Sequence, residues 1–344
     1  MKEVKKLAGQ TVIYGFGTIV PRFLNYAILT PLFTYTLQNQ ADYGVIVELY
    51  AWMVLLLVLL TYGMETGFFR FSQRAEDEKS VYNTALISLF VTSSLFLIFV
   101  NLFIKDVAQF FNYSENHDYI RMFTAIIAID AVAAIPFAKL RRDNRPIIFS
   151  IIKLANVIIT VSLIVFFINI APGLYEKGNR LVTSFYRPDY LVGYVFVANL
   201  IGSSATLLML IPVILMMRLR FNWTIWKRMI AYSLPLLVAG MAGTVNDVID
   251  KILLRRIVGV EEGLTVVGQY GGGYKVAVLM SLFVQMFRFA AEPFFFEKAG
   301  KKDARETYAF VMRHFIVSAM VLFLALNLFI PIVQYFVGPL FRES

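Results

Sequence analysis

Long apolar runs, each bounded by clusters of charge, recur along this chain. A helix crossing a bilayer needs about 20 mainly apolar residues. Nine runs meet that length, at roughly 10–36, 43–64, 81–104, 119–138, 146–170, 190–217, 229–256, 268–293 and 308–337. The first follows "MKEVKK", but its apolar stretch is far longer than a signal-peptide core and ends in no small-x-small cleavage site. It is therefore read as an uncleaved helix. Composition reinforces the pattern: 59% of the 344 residues are hydrophobic and 16% charged, against about 25% charged in soluble domains. The expectation is an all-α polytopic membrane protein.

Charge then orients the pattern. Lysine and arginine gather at the N-terminus (Lys2, Lys5, Lys6) and in alternate connections: Arg70, Arg74 and Lys79; Lys139, Arg141, Arg142 and Arg145; Arg218, Arg220, Lys227 and Arg228; Lys298, Lys301, Lys302 and Arg305. The other connections are poorer, with none in "QNQAD" and Lys105 in the third. The fifth, with Lys177, Arg180 and Arg187, is the discordant one. The positive-inside rule places the N-terminus in the cytoplasm. The net charge of +9 is then a topology signal and calls for no nucleic acid. The absence of cysteine excludes disulfides and thiolate sites. His117 and His314 are the sole histidines, so no metal centre or cofactor is expected. No Ser/His/Asp set or paired-carboxylate arrangement stands out, and the chain is not read as an enzyme.

An internal repeat organises the runs. A shift of 227 residues aligns Tyr43-Gly44 with Tyr270-Gly271, Glu65 with Glu292, Phe68-Phe69 with Phe295-Phe296, and Leu95-Phe96-Leu97 with Leu322-Phe323-Leu324. An offset of six helices implies two parallel six-helix bundles, a common transporter plan. The expected organisation is an N-terminal six-helix lobe over 1–217, a cytoplasmic linker over 218–228, and three helices of a second lobe over 229–344. By that count the second lobe lacks three helices, which points to a truncated sequence.

Ionisable groups inside a span are costly and face a cavity or a partner. The chain has Arg22, Glu48, Asp130, Lys153, Lys275, Arg288 and Glu292, besides the cluster "NDVIDKILLRR" over 246–256. Asp247 and Lys251 have the favourable i,i+4 spacing, with the acid N-terminal, and read either as an internal pair or as part of a cavity wall. Arg255 and Arg256 read as snorkelling to the interface. Arg22 has no charged neighbour within a helical turn. It reads either as one half of a cross-bundle salt bridge to an acid such as Asp130 or Asp250, or as a planar fork of donors suited to phosphate or pyrophosphate. Asp130, near mid-membrane, is a candidate protonatable or cation-linked group. "GQYGGGYK", residues 268–275, lacks the ending of a phosphate loop and reads as close helix packing.

Several of these pieces carry a family resemblance. They are Pro21-Arg22 in the first helix, "ADYGV", "YGMETGFFRF" and "NDVIDKILLRRIVGVEEGLTVVGQYGGGYKVA". Together they resemble the polysaccharide-unit (Wzx-type, O-antigen) flippases of the multidrug/oligosaccharidyl-lipid/polysaccharide exporter superfamily. The resemblance implies two six-helix lobes around a central cavity in a bacterial cytoplasmic membrane. It also implies flipping of polyprenyl-pyrophosphate-linked oligosaccharides for surface polysaccharide such as lipopolysaccharide. On that reading Arg22, Lys251, Lys275 and Arg288 bind the pyrophosphate, while Asp130 and Asp250 are the candidates for coupling to H+ or Na+. Partners would be the lipid-linked sugar, membrane lipid and glycan polymerase or assembly proteins. Family members carry more helices than the nine runs here. Two alternatives stand beside this reading: a drug or cation antiporter of the same fold, and a membrane glycosyltransferase or polymerase, for which the longest connection, at 171–189, is short.

Overall fold

The computed structural model describes residues 2–73, 78–216, 218, 220–298 and 304–342, with side chains outside the description at 2–16, 18, 261, 288–290, 292–298 and 304. Among the described residues there is no strand. In chain order the helices are α1 (Lys2–Thr36), α2 (Gln40–Thr61), α3 (Met64–Ser72), α4 (Glu78–Leu102), α5 (Ile104–Phe110), α6 (His117–Arg142) and α7 (Pro146–Val165). A π-helical turn, Phe166–Ile170, leads into α8 (Ala171–Glu176), followed by α9 (Arg180–Phe185), α10 (Leu191–Ile214), α11 (Trp223–Val258), α12 (Val260–Lys298), α13 (Ala304–Leu328) and α14 (Ile330–Val333).

Seven segments among the described residues are helical, long and apolar enough to cross a membrane. They coincide with seven of the nine expected runs. The other two, 10–36 and 268–293, fall inside the long helices α1 and α12. The chain is therefore a polytopic membrane protein. Its surface agrees: Phe90, Leu95, Ile98 and Phe99 stand exposed along α4, where lipid replaces water as the solvent. Hydroxyls that lipid cannot satisfy bond back to their own helix, as Thr124 does to the Ile120 carbonyl at 2.8 Å and Thr206 to that of Gly202 at 3.0 Å.

Local chemistry sets the ends. Asn39 caps α2 by accepting from the Ala41 N–H at 2.9 Å, and Tyr62 and Gly63 close it with positive φ. Asn222 accepts from the Ile225 N–H at 3.1 Å, so α11 begins six residues before the apolar run does. Half of the stretch expected as a linker, 218–228, is thus helix. The connection at 171–189 likewise holds α8 and α9.

Helices α1, α7, α10, α6, α4 and α2 pack in that succession, and α11 and α12 lie across α2, with α12 also on α1. The basic connection at 298–305 lies largely outside the described residues, while those after α3, α6 and α10 share one end of the bundle. There the Arg142 guanidinium donates to the Ser72 carbonyl at 2.9 Å, and the Arg218 and Asn222 amides donate to Asn83 and Thr84 at 3.0 and 3.1 Å. At the opposite end the segment after α14 folds over the α1–α2 turn. The Gly338 N–H donates to Thr34 Oγ1 at 3.0 Å, and the buried Phe341 ring meets Tyr43 edge-on at 5.3 Å.

The crossing of α2 and α12 is the closest of these contacts. A methyl on Gly44 would run into the Leu264 carbonyl, and one on Gly268 into the Gln40 carbonyl. "GQYGGGYK" is therefore a helix-packing surface, with Gly268 and Gly271 against α2 and Gly272 against Phe341, while Gly273 faces open space. Lipid tails are as apolar as leucine, so such close backbone approach is the main source of helix association. Gly268→Ala is expected to destabilise the protein by about 1–3 kcal/mol, the usual cost of overpacking, seen as a lower melting temperature in detergent. Gly273→Ala should leave that temperature unchanged or raise it, because alanine is the better helix former.

Candidate functional site

Two cavities open inside the bundle and share part of one wall. The first, of about 370 Å³, lies between α1, α2, α11 and α12 and is bordered by Arg22, Lys251 and Lys275. The second, of about 670 Å³, lies within the first six long helices and is bordered by Arg22, Glu65, Asp130, Arg141 and Lys153. Arg22, Asn25 and Tyr50 line both. Three of the four expected pyrophosphate-binding residues thus share one cavity. The fourth, Arg288, lies on α12 with its side chain outside the described residues.

Each acid in the second cavity is faced by a base. Asp130 lies near the Ser203 hydroxyl and faces Lys153 as its opposite charge. The Lys153 ammonium sits 4.2 Å from the centre of the Phe137 ring. Toward the basic end, Arg141 forms an ion pair with Glu65. The first cavity differs. Arg22 donates from Nη1 to Gln285 Oε1 at 2.8 Å, and no acid among the described residues compensates its charge. No ion pair with Asp130 or Asp250 forms. Lys275 contributes its carbonyl to the Tyr26 hydroxyl at 2.7 Å, while its ammonium has no hydrogen-bond or ion-pair partner among the described residues.

Lys251 departs from its expected pairing. Its ammonium contacts both carboxylate oxygens of Asp250, at 3.0 and 3.1 Å, and takes only the main-chain carbonyl of Asp247, at 3.1 Å. The carboxylate of Asp247 is not involved. Adjacent residues on a helix do not normally face each other. Here the Tyr270 hydroxyl on α12 holds Asp250 Oδ2 at 2.6 Å, and the long lysine stem doubles back to meet it over the Tyr274 ring, 4.1 Å from its centre. An ammonium has three donors, and all three are used. Lys251 therefore borders the cavity with its charge already satisfied, and Asp250 is held in the same clamp.

Arg255 departs further. It was expected to snorkel, yet it is 3% exposed and paired with Glu48, which is 4% exposed. The same guanidinium donates to the carbonyls of Phe111 at 3.3 Å and Asn112 at 3.0 Å. The Tyr113 hydroxyl completes Glu48 at 2.7 Å. Burial, and next the Glu48 carboxylate, push the Tyr113 phenol well above its usual range, so it remains a donor. Periodicity cannot find this cluster, since its members come from α2, the α5–α6 connection and α11. The one available signal was Glu48, a lone acid in an apolar run. Arg256, next along, lies against the rings of Phe110 and Trp52.

A family model described as "Polysaccharide biosynthesis protein" matches residues 37–186. No curated protein and no solved structure matches the chain. The matched stretch runs from the α1–α2 turn to the end of α9, and so includes Glu48, Asp130 and Lys153. It supports a membrane protein of polysaccharide synthesis. Arg22, Lys251 and Lys275 lie outside it.

Removing one member of a buried ion pair strands the other, at about 3–5 kcal/mol. Glu48→Gln is accordingly expected to lower the detergent melting temperature sharply. The double variant Glu48→Gln/Arg255→Met should recover part of that loss. If both variants melted like the parent protein, the cluster would not be a structural anchor.

Proposed function

We propose that this protein flips polyprenyl-pyrophosphate-linked oligosaccharide units across the cytoplasmic membrane for surface polysaccharide synthesis. One observation carries the reading. Arg22 and Lys275 border a cavity of about 370 Å³, and among the described residues neither is matched by an acid. Holding unmatched cations at membrane depth is costly unless an anion visits them. A pyrophosphate group is such an anion, and a guanidinium fork fits two of its oxygens at once. The family match over 37–186 supplies the polysaccharide context.

The route follows from the cavities. Pyrophosphate enters against Arg22, which borders both chambers, and passes to Lys275. The glycan occupies the polar chambers while the polyprenyl tail stays in lipid. Lys251, fully engaged by Asp250, shapes the wall and contributes less to binding. Asp130 remains the candidate for ion coupling, with Lys153 as its internal counter-ion. A drug or cation antiporter would need an unmatched acid in its cavity. Glu65, Asp130 and Asp250 each face a cation, which favours the anionic substrate.

The test is binding of undecaprenyl pyrophosphate to the purified chain, followed by ligand-induced thermal stabilisation. Arg22→Ala and Lys275→Met are each expected to weaken binding by roughly 10- to 100-fold, the value of one charged hydrogen bond. Arg22→Lys should lose less, because it keeps the charge without the fork. Lys251→Met should change binding severalfold at most. Equal affinity across all four variants would refute the anion site.

The orientation, with the N-terminus in the cytoplasm, is part of the same proposal and is checked separately. Single cysteines at Arg220 and Lys177, placed in the naturally cysteine-free chain, are exposed to an impermeant thiol reagent in intact cells. Lys177→Cys should react and Arg220→Cys should not. The reverse pattern would invert the topology.

A further inference from the structure

On the outside of the bundle, away from both polar cavities, a groove of about 500 Å³ runs between α2, α4, α5 and α6. Its walls are aromatic, with Phe96, Phe99, Phe103, Phe110 and Phe123 among them, and its one charged member is Asp106. Asp106 lies one helical turn before Phe110 on α5, so the two share a face. Over the Phe110 ring, 5.0 Å from its centre, sits the guanidinium of Arg256, which reaches there from the end of α11 and also lies 6.0 Å from the Trp52 ring. Arg256 and Asp106 are both exposed. Among the described residues neither forms a hydrogen bond or an ion pair, with each other or with any other group. A cation and an anion from separate elements thus flank Phe110 without closing on one another.

We propose that this groove is a phospholipid site selective for a headgroup that carries a phosphate and a primary ammonium. One acyl chain lies along the phenylalanines, the phosphate accepts from the Arg256 fork, and the ammonium donates to Asp106. The charges decide the occupant. A purely anionic headgroup would satisfy Arg256 and be repelled by Asp106. A quaternary ammonium has no N–H to give the carboxylate. Phosphatidylethanolamine meets both conditions. The guanidinium is held in place by two ring faces, a contact that keeps its five donors free for oxygen acceptors. This site stands independently of the glycan reading, since it shares no residue with the polar cavities.

Trp52 provides the readout, because its ring packs on Phe110 and Phe111 at 6.3 and 5.1 Å. The full chain is reconstituted in phosphatidylcholine vesicles containing a small fraction of lipid brominated on its acyl chains. That lipid is phosphatidylethanolamine, phosphatidylcholine or phosphatidylglycerol in turn. Quenching of tryptophan emission is compared with the Trp52→Phe variant, which reports Trp223 and Trp226 alone. Brominated phosphatidylethanolamine is expected to quench Trp52 roughly two- to five-fold more effectively than brominated phosphatidylcholine, the range available to exposed charge contacts. The excess should vanish in Asp106→Asn and in Arg256→Gln. Equal quenching by the two lipids in the unaltered chain would overturn the proposal without recourse to any variant. Stronger quenching by phosphatidylglycerol would overturn it too, since the site would then read phosphate alone.

Discussion

The smaller, cationic cavity depends on how closely α2 and α12 approach each other. Gly44 and Gly268 let the two backbones meet where any side chain would hold them apart. That contact brings Lys275, on α12, into a cavity whose other walls are α1, α2 and α11. It also fixes Tyr270 and Tyr274 beneath Lys251. Between lipid-embedded helices there is no hydrophobic drive toward burial, so surface fit must do this work. A few glycines therefore decide whether charges scattered over some 250 residues of sequence converge or remain strangers.

The architecture was largely legible in the sequence, because a bilayer imposes a length and a polarity that apolar runs must display. The runs from 43–64 to 308–337 show this where they coincide with helices. Three of the basic loops, after α3, α6 and α10, meet in space at one end of the bundle. Arg22, Lys251 and Lys275 were also legible as cavity residues, since each is a charge at a depth where lipid would reject it. Pairing was not legible. Sequence spacing offers the partner one turn away, and by that rule Asp247 belongs to Lys251. The actual choice of Asp250 is made by the Tyr270 hydroxyl on another helix. Arg255 was misread for the same reason. Its position near a helix end fits snorkelling, while its burial is created by the α5–α6 connection folding over it.

The two cavities differ in electrostatic character even though they share a wall. In the larger, each acid sits near a base, and Arg22 on the shared wall is the cation left over. In the smaller, Lys251 is neutralised by Asp250, while Arg22 and Lys275 are matched by no acid among the described residues. On the proposed function, the junction at Arg22 is where an anionic group would meet a cation that no described acid already holds. Coulomb interactions at such sites are strong because water is sparse. Two unmatched cations can then dominate a wall that is otherwise mostly aromatic and aliphatic.

The Glu48–Arg255 pair also has a history in time. Its partners are 207 residues apart, and ribosomes add about 5–20 residues per second. Glu48 therefore waits roughly 10–40 s in the nascent chain before its arginine has been made. Tyr113, 65 residues downstream, arrives first and can offer the carboxylate a hydroxyl in the interval. A half-synthesised chain thus carries an acid with only a provisional partner inside the membrane, a defect that costs stability. Arrival of Arg255 removes it, so a contact that anchors the finished protein also marks, during synthesis, the moment at which α2 and α11 have found each other.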